Sequence, residues 1–372
     1  MKNLKNNLNT QSVLSMRGSG YYSERTAGAK IAIDATQPLM EKALKEIPKL
    51  KKLRMADYGS ADGGTSQEMW NNLIKQLRDN NDNREIEILY TDLASNDFST
   101  LFKKIQGMQG NTKIAFQNKF SNVFVHGCGT GFHQKLMVSG SLSLGFSATA
   151  MHYVSEKPCL IKDHVHMVGS NENEKTQFKK QALKDWESIL LARSEELTSG
   201  GRFICLNFGI DERGRYLGNT GGHSMFDKFT FHWNALRKKG EITKNEYEAA
   251  TFAQHYRTVS EFCEPFEDHN SLVYKSGLRL MSCSTRLTNC PYRLEYQKNK
   301  GSMSPKKFSE NLIPTMRSWS ETVFRTALIG RTEDQIDEIV NKFYNSYQRE
   351  IAENPEGHAM DYIHIIMEIQ KI

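Results

Sequence analysis

A chain of 372 residues that is 38% hydrophobic, 25% charged and 10% aromatic can bury a large core and is not a disordered segment. Its formal charge of +6 is spread along the sequence, without the concentrated Lys and Arg of a dedicated nucleic-acid binder. The cysteines, Cys128, Cys159, Cys205, Cys263, Cys283 and Cys290, include no CxxC pair and read as free thiols in a reducing compartment, not as a disulfide frame or a zinc site. No run reaches the ~18 to 20 apolar residues of a membrane span and no apolar signal core follows Met1, so a cytoplasmic protein without a membrane partner is expected.

In chain order, residues 1–12 read as a flexible tail and 17–20 as a Gly-rich turn. A helix is expected over 23–44, with Pro38 ending or kinking it. Residues 53–57 form a short strand that runs into the Gly-rich loop 58–64. A helix starting near Thr65 then carries Met69, Leu73, Ile74 and Leu77 on one face. Further strands are expected at 85–90, 122–125 and 142–146. A long amphipathic helix over 176–197 closes in the turn 198–201, whose glycines suit a helix C-cap, and an apolar strand follows at 203–208. Strands alternating with helices imply an α/β fold, a mostly parallel sheet with helices on both faces.

After Gly209 the alternation stops. Helices are expected over 227–239 and 244–264. A capping box at Thr332 and Gln335 precedes Ile336, Ile339, Val340 and Phe343, and a final strand covers 362–369. The expected division is a Rossmann-like core of 13–209 and 305–372, interrupted by a mostly helical substrate cap at 210–304.

Ligands of open parallel sheets sit beyond the carboxyl ends of the strands, so the loop 57–64 is the first candidate site. Its glycines allow close backbone approach. A dinucleotide fingerprint needs GxGxxG with an acidic residue about 20 positions later. Gly59, Gly63 and Gly64 do not match it, and Asp92 follows Asp57 by 35 residues. A nucleoside without phosphates fits better, its two ribose hydroxyls both donating to the Asp92 carboxylate. An acidic residue at a strand end can equally be a solvated turn, so loop and aspartate alone leave both readings open.

Several segments read in order resemble the SABATH family, plant-type carboxyl methyltransferases that esterify salicylate, jasmonate, benzoate and similar acids. Residues 13–22 resemble the family opening, and 57–65 resemble its Asp-Leu-Gly-Cys-Ser-Ser-Gly-Pro-Asn loop. Thr91-Asp92-Leu93-Ala94-Ser95-Asn96-Asp97-Phe98 is similar to its Asn-Asp-Leu-Pro-x-Asn-Asp-Phe motif. Residues 141–155 resemble the stretch ending in Leu-x-Trp-Leu-Ser, and Arg193 to Arg202 a helix-to-strand passage. Weaker likenesses lie at 235–242 and at Arg317 with Glu321.

The resemblance implies a divergent, non-plant member of the family: an S-adenosylmethionine-dependent methyltransferase with a Rossmann-like core and a helical cap. Asp57, Gly59, Ser60 and Thr65 would line the methionine side of the cofactor, with Thr26 keeping the hydroxyl of a family serine. Asp92 would hold the ribose, Leu93 would pack on the adenine, and Gly131 and Phe132 would stand for a Ser-Phe pair beside it. On the acceptor side, Arg17 replaces a family lysine near the substrate carboxylate and could grip it bidentately. Tyr153 replaces a substrate-stacking tryptophan, Thr149 a frequent tyrosine, and Ala29 a carboxylate-binding glutamine. Tyr22, His152 and Trp233 are further pocket candidates.

A carboxylate is already ionised at neutral pH, so no catalytic base and no metal are expected, only positioning. The activity implied is conversion of a small-molecule carboxylic acid to its methyl ester. The alternatives are N-methylation of a small heterocycle, a non-catalytic cofactor-binding relative, and a nicotinamide oxidoreductase, against which the missing GxGxxG counts. No nucleic-acid partner is expected, and the family suggests a homodimer.

Overall fold

The computed structural model describes residues 20–372; the tail at 1–12 and the opening stretch with Arg17 lie outside the described residues. The stretch expected as one helix forms three, α1 (Tyr21–Arg25), α2 (Ala27–Asp34) and α3 (Gln37–Glu46). Pro38 lies in the first turn of α3, where its missing N–H would have had no partner, so it starts a helix and does not end one.

The alternating half follows as β1 (Lys52–Tyr58), α4 (Gln67–Asp79), β2 (Glu85–Thr91), α5 (Phe98–Ile105), β3 (Val123–Cys128) and β4 (Leu142–Ala148). It ends with α6 (Glu172–Glu196) and the long strand β5 (Leu197–Ile210). No turn separates these last two elements. Gly200 takes φ 79° inside the strand, beside a register irregularity against β4, so the expected C-cap glycines form a bulge.

The remainder comprises α7 (Met225–Lys238), α8 (Lys244–Ala249), β6 (Arg257–Thr258), α9 (Val259–Glu267), α10 (Leu272–Lys275), β7 (Leu278–Thr288) and α11 (Pro291–Lys298). The chain closes with α12 (Pro305–Ala327), α13 (Glu333–Glu353) and β8 (Tyr362–Lys371). The helix expected over 244–264 is split into α8 and α9, because Thr258 and Glu261 build a capping box that starts α9 in addition to the one, Thr243 with Glu246, that starts α8.

The main sheet runs β3-β2-β1-β4-β5-β8-β7. The first five strands are parallel and β8 is antiparallel to both its neighbours. Strand order reverses at β1, with β2 on one side and β4 on the other. One apolar cluster, including Met69, Trp70, Leu73 and Ile74 of α4, packs on Met55, Ile86, Ile88 and Ile204. Another joins Trp186, Ile189 and Leu190 of α6 to Ala56, Phe203, Cys205 and Met367. Each fully buried side chain of this size contributes about 1.5–3 kcal/mol.

The packing does not follow the expected division. Strand β7, inside the expected cap, is an edge of the sheet. Conversely, α12 and α13, inside the expected core, share a third apolar cluster with α7, through Phe229, Trp233, Trp319, Phe324, Phe343 and Tyr347. Helical periodicity marks a helix's apolar face but not the layer that face meets. Among the described residues no helix is long and apolar enough to cross a membrane.

Candidate functional site

The loops at the carboxyl ends of β1 to β4 surround a cavity of about 550 Å³. This is the place beside a strand-order reversal where open α/β sheets bind ligands. Beyond β1 the backbone enters a tight turn. Gly59 has φ 76°, and a Cβ there would lie 2.4 Å from the Ala150 Cβ, so only glycine fits. The amides of Gly59 and Ser60 donate to the Thr91 carbonyl at 2.8 and 3.1 Å, tying this turn to the end of β2.

Asp92 follows directly. One carboxylate oxygen accepts from the Ala61 amide and the other from the Leu93 amide, both at 2.7 Å. Each oxygen keeps a further lone pair, so the group can still accept from two hydroxyls. Burial raises its pKa, opposed by these two amides. Ala61 (φ 48°) and Thr149 (φ 53°) both line the cavity in left-handed conformations that residues with a Cβ seldom adopt. Strain of this kind gathers where a site must hold a fixed shape.

Asp57 is buried and does not border the large cavity. With Ser60 and Thr65 it walls a small adjoining recess that Gly59, Ala61, Tyr22 and Thr149 share with the cavity. One Asp57 oxygen accepts from the Ser66 hydroxyl at 2.6 Å and the Trp70 indole at 2.9 Å. Burial nevertheless raises its pKa to about 6. The structure brings Thr26, Leu93, Gly131 and Phe132 to the cavity wall, and the Thr26 hydroxyl donates to the Tyr22 carbonyl at 2.8 Å.

Of the acceptor-side candidates, Tyr22, Thr149, His152 and Tyr153 line the cavity, and Ala29 stands among them. His152 Nδ1 lies 3.3 Å from Asn207 Oδ1, and burial pushes the imidazole down to about 3, so it is neutral. Burial likewise raises Tyr22 and Tyr153, keeping both phenols protonated. Trp233 must be corrected. It is fully buried in the helical layer, with ring centroids 5.0 Å from Phe324 and 5.6 Å from Phe343, because the apolar face of α7 turns toward α12 and α13.

Sequence reasoning missed Phe208, Tyr256, Trp319, Met360 and Tyr362, which form the apolar far wall. They come from elements remote in sequence, and no local pattern marks Tyr256, Trp319 or Met360 as lining a site. Phe208 and Tyr362 had a partial signal, as the end and the start of expected strands. Among the described residues lining the cavity, none is Lys or Arg, and Asp92 is the only carboxylate.

A family model described as SAM dependent carboxyl methyltransferase matches residues 10–372. Methyltransferase FUS9 of Gibberella moniliformis is 29% identical over 191 residues, covering 51% of this chain and 50% of the relative. The benzoate O-methyltransferase of Zea mays is 22% identical over 290 residues, covering 70% of this chain and 73% of the relative. The chain thus spans about half the length of the Gibberella relatives it matches. A solved structure, loganic acid methyltransferase with SAH, is similar with a TM-score of 0.71 at 16% identity, over 96% of this chain and 98% of that one, a likeness of fold.

Proposed function

Because the chain belongs to the SAM dependent carboxyl methyltransferase family, we propose that it methylates the carboxylate of a small-molecule acid, releasing the methyl ester and S-adenosylhomocysteine. The observation that carries this reading is Asp92, held by two backbone amides at the cavity wall with acceptor capacity to spare. That capacity fits the two hydroxyls of a ribose, and the absence of a phosphate-binding glycine pattern fits a nucleoside without phosphates. S-adenosylmethionine, when bound, supplies a methyl group activated by the adjoining sulfonium.

The chain's own residues then have three tasks. Asp92 orients the nucleoside, flanked by Leu93, Gly131 and Phe132. Asp57, Gly59, Ser60, Thr65 and Thr26 border the methionine end, where an ionised Asp57 favours a cationic amino acid. Tyr22, Thr149, His152, Tyr153 and the far wall of Phe208, Tyr256, Trp319 and Tyr362 hold the acceptor and exclude water.

No residue is needed to take a proton from an acid that is already ionised. Neutral Tyr22 and Tyr153 offer O–H donors to a carboxylate, and we assign its positive partner to Arg17. The free-thiol cysteines favour a reducing, cytoplasmic setting, and the family a homodimer.

The test is transfer of a labelled methyl group to a panel of aromatic and aliphatic carboxylic acids, with methyl esters identified by mass spectrometry. Ester formation is expected, and Arg17→Ala should raise the acceptor KM by about tenfold or more, the worth of a charge-assisted hydrogen bond. Methylation of a neutral heterocycle, indifferent to Arg17→Ala, would instead mark an N-methyltransferase. Cofactor binding without transfer to any acceptor would mark a non-catalytic relative.

A further inference from the structure

Arg193 and Glu196, at the end of α6, form a fully buried ion pair that the reaction itself does not use. The pair is bidentate: Arg193 Nε donates to one Glu196 oxygen at 2.7 Å, and Nη2 to the other at 2.8 Å. Replacing such a pair with apolar side chains is often neutral or stabilising, so stability alone gives weak grounds for burying two charges here. The remaining bonds of the pair supply a better reason.

Residues 129–141, between β3 and β4, form no helix or strand, so their backbone groups need partners from elsewhere. Arg193 donates through Nη1 to the Phe132 carbonyl and through Nη2 to the Gln134 carbonyl, both at 2.8 Å. Glu196 accepts from the amides of Leu136 at 2.5 Å and Met137 at 3.2 Å. One ion pair therefore fixes two carbonyls and two amides of a loop that otherwise lacks a ladder.

The same pair reaches β1. Tyr58, the residue before Gly59, donates its hydroxyl to Glu196 at 2.5 Å, and the Arg193 guanidinium lies 4.1 Å over the Tyr58 ring. Burial keeps that phenol protonated and able to donate. The two segments so held meet in the cavity wall, where a Cβ on Gly59 would lie 3.6 Å from the Phe132 ring. An apolar pair could fill this volume but could not set the register of a loop backbone against a strand end.

We infer that Arg193 and Glu196 are positioning residues for cofactor binding, holding the loop 131–137 and the end of β1 as one preformed wall of the cavity. The inference rests on reading the cavity as the S-adenosylmethionine site. Arg193→Lys keeps the charge but loses the planar fork, and Glu196→Gln keeps the size but loses the charge.

The probe is S-adenosylhomocysteine, titrated calorimetrically into wild type and each variant, with folding checked by near-UV circular dichroism. A folded variant should bind at least about fivefold more weakly, as expected when a preorganised site loosens. A smaller change would overturn the inference, whereas failure of the wild type to bind would overturn the functional reading instead. Hydrogen exchange on the ligand-free wild type decides the matter even if both variants misfold. The Leu136 and Met137 amides should be protected like those of β5, and protection appearing only after S-adenosylhomocysteine is added would contradict a preformed wall.

Discussion

Asp57, next to last in β1, and Asp92, just past β2, sit at the carboxyl ends of neighbouring strands, and burial raises both carboxyls, yet their partners differ. Ser66 and Trp70 donate to one oxygen of Asp57, whereas the donors to Asp92 are backbone amides of the loops it joins. An aspartate with a folded pKa of about 6 against about 3.9 unfolded binds its proton more tightly in the native state. Its contribution to stability is therefore fully present below about pH 4 and is lost as pH rises to about 6. Asp57→Asn should flatten that part of the Tm profile, and an unchanged slope would show that another group sets it. A ligand carrying an ammonium favours the ionised carboxylate. S-adenosylhomocysteine affinity should consequently fall as pH drops below about 6, by up to about tenfold per unit, and titrations near pH 5 and pH 7 will show whether it does.

At the scale of elements, the site was most legible where a strand ends in a short loop. The turn after β1 and the Asp92 loop after β2 could be named because position in a parallel sheet says where ligands go, and because Gly59 and Asp92 have chemistry suited to those places. The acceptor side was less legible. Trp233 and Trp319 both lie on apolar faces of helices, and nothing local distinguishes the one packed among Phe324 and Phe343 from the one at the cavity. Strand β7 was hidden for a related reason: as an edge it alternates poorly, with Met281 and Leu287 exposed. The tryptophans give a test. Trp233→Ala should destabilise the fold by about 3–5 kcal/mol while leaving cofactor affinity in the folded protein unchanged. Trp319→Ala should alter the acceptor KM and the choice among acids. Equal effects of both on KM would mean that the cavity extends further into the helical layer than described.

For the molecule as a whole, strand ends and their loops line most of the cavity, α1 and α2 add Tyr22, Thr26 and Ala29, and the helical layer adds Trp319 from α12. That layer is assembled from α7, α8, α12 and α13, drawn from both sides of the boundary expected at residue 304, with β7 returning to the sheet between them. The α/β class and every strand of the main sheet except β7 could be read from the sequence pattern, but the interleaving of layers depends on contacts between distant segments. Asp92 gripping a nucleoside in that cavity is the central requirement of the proposed function. Calorimetric titration of S-adenosylhomocysteine into wild type and Asp92→Ala tests this directly. Micromolar binding by the wild type, weakened by about a hundredfold in the variant through loss of hydrogen bonds to a charged acceptor, is the predicted result. No binding to the folded wild type, or equal binding to both proteins, would contradict it.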